Sequence, residues 1–480
     1  MMLTMKSGGA RHRAARFGGQ AGPNRILHVT LLSAAVALSV AVTRADDPDQ
    51  RPRELRPNFA SDVAPILNDH CVMCHRPGGR APFSLVTLDD ARAQGERIVE
   101  VTRARQMPPW TATQGRGFPD LRNDPRLSDG QIRTLQQWAN LGMPAGDLSR
   151  APMPPSFSTG WPLGVPDLIL TFARRISLPA DSADRLFNMT LAVNLPEDRW
   201  IAGLDYQATS SASLKHALFL SLPADVVVDD QDVLPGVGGL LGLGAIDNLG
   251  ERLLAADRGM KVLGAWTTGG WPRLMPPGMA QRLPRRSNIV LQLHAPPAET
   301  GAIEDGRVAV YLAKEPVSAR VMSLLLPPSF GIASGIDIPA GGRYTLVDTF
   351  TLPVDVEAIG ARGHAHALAR RMSITAAAPG KAPRGLLAID KWDPRWRDTY
   401  LFEKSVALTK GTVLRVEINY DNQSLIDGAP KHRVVWGPHL SQEIGGMELL
   451  LSTKTDADGT ALDDARARHF RAQLLKSARH

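Results

Sequence analysis

A chain of 480 residues with 43% hydrophobic and 21% charged residues is long enough for two or three domains with their own cores, and its composition is that of a globular protein. Six of its seven surplus positive charges, contributed by Lys6, Arg11, Arg13, Arg16, Arg25 and Arg44, fall within residues 1–45, which hold no acid; everything after Ala45 carries +1. The net charge of +7 therefore gives no argument for nucleic-acid binding.

The chain opens with a cationic region to Arg25, an apolar run from Ile26 to Val42, and Thr43-Arg44-Ala45 before two acids. This is the layout of a secretory signal over residues 1–45. The run is short for a bilayer span and carries His28, Thr30, Ser33 and Ser39, so cleavage is expected, with an uncleaved anchor as the alternative. No later segment is apolar enough to cross a membrane. The expected location is the periplasm or another exported compartment. Residues 46–57 read as a linker.

Cys71-Val72-Met73-Cys74-His75 holds the only two cysteines of the chain. C-x-x-C-H is the attachment pattern of c-type haem: two thiols on one helical turn can bond the porphyrin vinyl groups, and the following histidine becomes an axial ligand. A zinc site lacks its second cysteine pair, a thioredoxin-type pair needs no following His, and a disulfide across two residues closes almost no loop. A short capped helix is expected from Phe59 to Leu67, an amphipathic helix from Leu88 to Thr102, and a last helix from Ser128 to Asn140 with Ile132, Leu135 and Trp138 on one face. Met107, on the proline-led loop Met107-Pro108-Pro109-Trp110, is the expected second axial ligand; Met143 is its rival. Residues 149–163 form a proline-rich linker.

From residue 164 the pattern changes to short apolar or alternating runs separated by turn residues. Examples are Leu168 to Phe172, Ala217 to Leu220, Ile289 to Leu293, Thr345 to Phe350 and Leu414 to Tyr420, which predict antiparallel sandwiches. A glycine-rich loop from Gly236 matches no phosphate-binding fingerprint. His364-Ala365-His366 is the sharpest local signal, because residues i and i+2 of a strand share a face and can reach one metal. Asp456 to His480 reads as a charged, solvated tail.

Residues 58–148, through "CVMCHRPG", "APFSL", "MPPW" and "LSDGQIRTLQQWANLG", resemble a class I cytochrome c. More narrowly, they resemble the cytochrome head of secreted bacterial proteins with a copper monooxygenase-like region behind it. The series His216-Ala217-Leu218-Phe219, "RLPRRSNIVLQLHAPP", "GARGHAHALARRM" and "GGMELLL" resembles the copper type II, ascorbate-dependent monooxygenases, the group of peptidylglycine alpha-hydroxylating and dopamine beta-monooxygenases. The resemblance implies a small all-α cytochrome c domain followed by two all-β antiparallel jelly-roll domains, over residues 164–335 and 336–455, with copper sites facing across a solvent-filled cleft.

It further implies covalently bound haem c on Cys71, Cys74 and His75, one copper on His364, His366 and Met447, and a second on His216 and His294. The second site has Lys215 where the family has a histidine, and an ammonium cannot ligate copper. The implied reaction is hydroxylation of a small organic or peptide-like substrate by O2, with an external electron donor. The alternative is a non-catalytic electron-transfer or binding protein with a degenerate copper region. A haem-based sensor with an open axial position is a third reading. His432 and His439 match no family ligand position, although His439 is a candidate replacement ligand.

Overall fold

The computed structural model describes residues 56–477 apart from 179–184, 209–215, 229–259, 296–301, 424–431 and several shorter stretches. The signal over residues 1–45, the start of the linker, Lys215 and the loop from Gly236 lie outside the described residues. Among the described residues no helix is long and apolar enough to cross a membrane.

The first part is helical. Asn58 caps a π-helical turn, Phe59–Val63, by accepting from the Ser61 N–H, and the turn runs into α1 (Ala64–His70). The helix expected over Leu88 to Thr102 is two, α2 (Leu88–Ala93) and α3 (Gly95–Arg103), broken at Gln94. Gly95 lies against Met143: a Cβ at Gly95 would lie 2.5 Å from the methionine Cε, so any larger residue would require the end of the Met143 side chain to move. α4 (Asp129–Asn140) starts on Ser128, which closes a capping box with Gln131. Phe59, Leu67, Ile98, Leu135 and Trp138 meet in one small core, with Cys71 and Met143 packed on its edge.

The remainder is β-rich. Eight strands hydrogen-bond in one row, in the order Leu168–Thr171, Arg307–Leu312, Arg199–Gln207, Met279–Leu283, Ala319–Leu326, Gly445–Thr453, Val356–Ala365, Tyr400–Leu408. Among the described residues the one parallel pairing in this row joins Met279–Leu283 to Ala319–Leu326, and it links the two halves of the β region. One four-stranded sheet, ordered Arg185–Ala192, Ser287–Ala295, His216–Pro223, Lys261–Thr267, covers the first half of the row. Its Met189, Phe219 and Leu291 pack with Ile201, Val308 and Val310. A second sheet, ordered Arg343–Thr351, Val413–Asp421, Ala369–Ala377, Arg384–Ile389, covers the other half. There Leu346, Ile374 and Val416 pack with Ala361, Met447 and Leu449. The chain is thus a multidomain, β-rich protein built on two sandwiches that share a row of strands.

The first sandwich's covering sheet is buried on both faces. Along His216–Pro223, Ala217 and Phe219 face the first core, while Leu218, Leu220 and Leu222 meet Leu325 and Phe330 of the second half. A strand covered on both sides reads as a continuous apolar run rather than an alternation, which is the pattern of "HALFLSL".

Residues 456–477 are not a solvated tail. They form α5 (Asp456–Ser477), which buries Leu462, Ala467 and Phe470 and anchors its polar side through Lys261–Asp463 at 2.8 Å and His469–Asp348 at 2.9 Å. Few apolar positions on a charged helix suffice when each is fully covered. Phe470→Ala is therefore expected to cost about 3–5 kcal/mol, read as a lower urea midpoint with an unchanged m-value.

Candidate metal centres

The haem motif sits where α1 ends. Cys71 is the C-cap of α1, and the N–H groups of Cys74 and His75 both donate to the Cys71 carbonyl, which coils the five residues into one turn. Burial, then the neighbouring Cys74, pushes the Cys71 thiol up to about 12. His75 Nδ1 lies 3.2 Å from the Phe83 carbonyl, and its ring packs 4.5 Å from that of Phe83. A carbonyl only accepts, so Nδ1 carries the proton and Nε2 keeps its lone pair, the tautomer an axial ligand needs. Burial lowers the His75 pKa and favours the neutral ring. These residues fit a covalently held haem.

The two candidate methionines have different surroundings. Met107 is 43% exposed and so is not a core residue. Met143 is packed against Gly95 and the module's core, and its carbonyl accepts from Arg92.

In the β region, strand alternation brings four of the expected histidines to one place. His216 and His294 are direct cross-strand partners and lie on the side of their sheet that carries Leu218, Leu220 and Val290, toward the second sandwich. His364 lies on the side of its own strand away from the second core, and its ring meets that of Phe330 edge-on at 5.2 Å. The His366 and His294 ring centres are 5.9 Å apart. His294, His364 and His366 all lie near enough to act electrostatically on His216. Exposures of 9% for His216, 6% for His294, 2% for His364 and 3% for His366 place the group inside the protein, not across an open solvent cleft as the family resemblance implied.

Two of the rings are anchored at one nitrogen. His366 Nδ1 donates to the Gln442 carbonyl at 2.9 Å. His364 Nε2 lies 2.9 Å from the Glu448 carboxylate, which can only accept once ionised, so Nδ1 remains. His216 Nε2 is buried and has no hydrogen-bond partner. Burial, followed by the Arg397 guanidinium, holds His216 well below its ordinary pKa and therefore neutral, as metal ligation requires. Arg397 is itself buried, which lowers its pKa to about 10 with Glu443 opposing. Glu443 accepts from the N–H groups of His366, Leu368 and Ile444, and burial raises its pKa to about 7.

Met447 is not part of this arrangement. It pairs with Gly363, while the direct partner of His364 is Gly446, so Met447 points to the opposite face of the sheet and lies in the second core with Ala361 and Ala365. The residue of that strand that faces His364 is Glu448, which the sequence reading missed. Glu448 is fully buried, and Arg362 grips it through two bonds of 2.5 Å. Burial opposes its ionisation, but Arg362 and His364 outweigh burial and bring its pKa down to about 2. Arg362 and His364 share a strand face as i and i+2, but which residue of the facing strand is their counter-ion depends on the register. Among the described residues no three His, Cys, Asp or Glu side chains stand ready-made at metal-holding spacing. His432 and His439 are exposed; the His439 carbonyl accepts from Gln442, in the loop that anchors His366. Next to the site, Ser329 and Phe330 adopt left-handed backbone with φ of 48° and 55°, the kind of strain that surrounding packing must hold in place.

No protein-family model and no curated protein matches this sequence. Among solved structures, the chain is similar to PNGF-II at 8% identity over 59% of this chain and 64% of that one, with a TM-score of 0.26. It is also similar to a putative alpha-L-fucosidase of Bacteroides ovatus at 12% identity over 65% and 44%, TM-score 0.16. A Paenibacillus xanthan lyase follows at 10% identity over 62% and 28%, TM-score 0.15. The chain spans less than two thirds of the length of each of these three proteins, and scores this low transfer neither fold nor activity.

Removing Arg362 would leave the Glu448 charge buried and unpaired. Arg362→Met is expected to cost about 3–5 kcal/mol at pH 7. A carboxyl with a depressed folded pKa stabilises above its ordinary value of 4.5 and loses that contribution as pH falls through about 2. The gap between wild type and variant should therefore narrow across that acidic window in urea titrations, and a gap independent of pH would contradict the pairing.

Proposed function

We propose that this chain is an exported redox protein that carries covalent haem c on Cys71, Cys74 and His75 and one copper at the histidines between the two sandwiches. Its reaction class is the O2-dependent hydroxylation of an organic substrate. The observation that carries the metal reading is the buried, unpartnered Nε2 of His216 beside His364 and His366, which are each fixed at one nitrogen by a carboxylate or a carbonyl. Two imidazoles on one ion have ring centres roughly 4.5–6.5 Å apart, given metal–nitrogen bonds of about 2 Å, and His294 and His366 fall in that range. His216, His294 and His366 are the first choice of ligands, with His364 available through Nδ1.

When bound, the haem would supply one-electron transfer and the copper one-electron chemistry with O2. The protein's own part is to favour the neutral rings of His216 and His364 by burial, to orient His364 through Glu448 and His366 through Gln442, and to exclude bulk water from the four imidazoles. In this reading the helical module is a class I cytochrome c in which Met107 would join Cys71, Cys74 and His75 in holding the haem, and the sandwiches are jelly rolls of the monooxygenase type.

One observation favours the non-catalytic alternative. The Arg362–Glu448 pair sits beside His364 where the family resemblance placed a thioether, and the site is closed to solvent, so the region could serve electron transfer or binding alone.

The test is metal analysis of protein matured with haem in the periplasm. One iron and one copper per chain are expected. His366→Ala should lose the copper and keep the iron, while Met447→Leu should keep both, because Met447 is a packing residue. Met107→Ala should shift the visible spectrum of the haem. Iron without copper in the wild type would overturn the monooxygenase reading and leave the electron-transfer one.

A further inference from the structure

One cavity lies away from the histidines. About 370 Å³ in volume, it lies between the covering sheet of the first sandwich, the strand Ala319–Leu326 and α5. Ser221, Leu222 and Pro223 line it, whereas His216 is at the other end of the same strand, roughly 16–23 Å away at 3.3 Å per residue. It is a separate place in the molecule.

Its chemistry is two-sided. Met260, Val262, Leu263, Val321 and Leu325 make part of the wall apolar. Five cations also line it, Lys261, Arg282, Arg286, Arg320 and Arg466, against two carboxylates, Asp456 and Asp463. Asp198 reaches Arg282 from outside the cavity and adds a third carboxylate. Arg320 pairs with Asp456 at 2.7 Å, and Asp463 is shared between Lys261 at 2.8 Å and Arg466 at 3.7 Å, so two carboxylates serve three cations. Thr453 is the direct cross-strand partner of Arg320. Its hydroxyl is buried, lines the cavity and has no hydrogen-bond partner, with the residue 1% exposed. A buried hydroxyl without a partner costs free energy unless a ligand completes it. Arg466, also lining the cavity, is 9% exposed.

We propose that this cavity binds a small amphiphilic monocarboxylate. The aliphatic tail lies against Met260, Val262 and Leu325, and the carboxylate accepts from the Thr453 hydroxyl and the guanidinium groups of Arg320 and Arg466. An apolar wall with a few convergent polar groups and a volume of several hundred Å³ is the usual form of a small-molecule site. The excess of cations over carboxylates selects an anion, and the planar guanidinium fork suits a carboxylate. The inference does not rest on copper or haem binding.

The probes are octanoate and octanol, titrated calorimetrically into the full haem-loaded chain. Saturable octanoate binding is expected, with octanol about tenfold weaker or more, the loss that corresponds to one charge-assisted hydrogen bond. Thr453→Val keeps the side-chain shape and should weaken octanoate by about tenfold while leaving octanol unchanged. Arg466→Met should weaken octanoate by at least as much. Equal affinity for octanoate and octanol, no saturable octanoate binding, or undiminished binding in Thr453→Val would each overturn the proposal. Thr453→Val keeps the test decisive should Arg466→Met fail to fold. Copper and iron content should be the same in all three proteins, which separates this outcome from the metal reading.

Discussion

A sheet that must be covered on both faces governs the β region. The four strands from Arg185–Ala192 to Lys261–Thr267 give one face to the first core, through Phe219 and Leu291, and the other to Leu325 and Phe330 of the second half. Burial of apolar side chains at about 25 cal/mol per Å² on both faces fixes the sheet against both sandwiches. Because side chains alternate along a strand, the same constraint determines where His216 and His294 point. They occupy the positions in register with Leu218 and Val290 and are delivered to the seam between the two halves. The parallel contact of Met279–Leu283 with Ala319–Leu326 holds the halves together at their shared row of strands.

The seam is expensive to polarise, and the charges found there are arranged accordingly. Arg362 and Glu448 neutralise one another through paired bonds, with Ser323 and His364 completing the carboxylate's acceptor capacity. Glu443 spends its capacity on three backbone N–H groups around His366. The buried charges thus come with partners, as low-dielectric surroundings require. The buried His216 ring is kept neutral, first by burial and then by Arg397. Carboxylate and carbonyl partners that orient metal-binding imidazoles form a recurrent second layer around metals.

How far the sequence could be read depended on the range of each signal. The strand "HALFLSL" is its own description: seven residues with no polar interruption beyond His216 and Ser221 announce a strand buried on both faces. The Ser128 cap and the face of Ile132, Leu135 and Trp138 were equally local, and the helix formed there. Met447 failed for the opposite reason. Whether it shares a face with His364 depends on a register between strands about eighty residues apart, and a shift of one residue exchanges the two faces. The side chain that does face His364, Glu448, has no meaning until that register is known. The break at Gln94 falls beside the close approach of Gly95 to Met143, a contact across a gap in sequence that periodicity does not sense. α5 was misread because three covered apolar positions in a charged segment give almost no amphipathic signal, while Phe470 is completely buried.

The helical module is tied to the histidine seam by one short stretch of chain. The Thr113 N–H donates to the Ala388 carbonyl at 2.7 Å, and the Thr113 hydroxyl donates to Asp390. Thr111 meets the Tyr400 hydroxyl, and Trp110 packs edge-on against the same ring at 4.9 Å. Two residues beyond Asp390, the Trp392 indole donates to the His366 carbonyl. The segment from Ala388 to Trp392 therefore touches the arm of the helical module at one end and a candidate metal ligand at the other. Trp110, Ala112 and Leu121 are members of the second sandwich's own core, so the arm is part of that core. Such an anchor resists independent motion of the helical part, because displacing it would expose apolar surface and break backbone bonds together. The arrangement explains why a module with so small a core of its own can hold Cys71, Cys74 and His75 in a defined turn: its loop after α3 is fastened to the larger body.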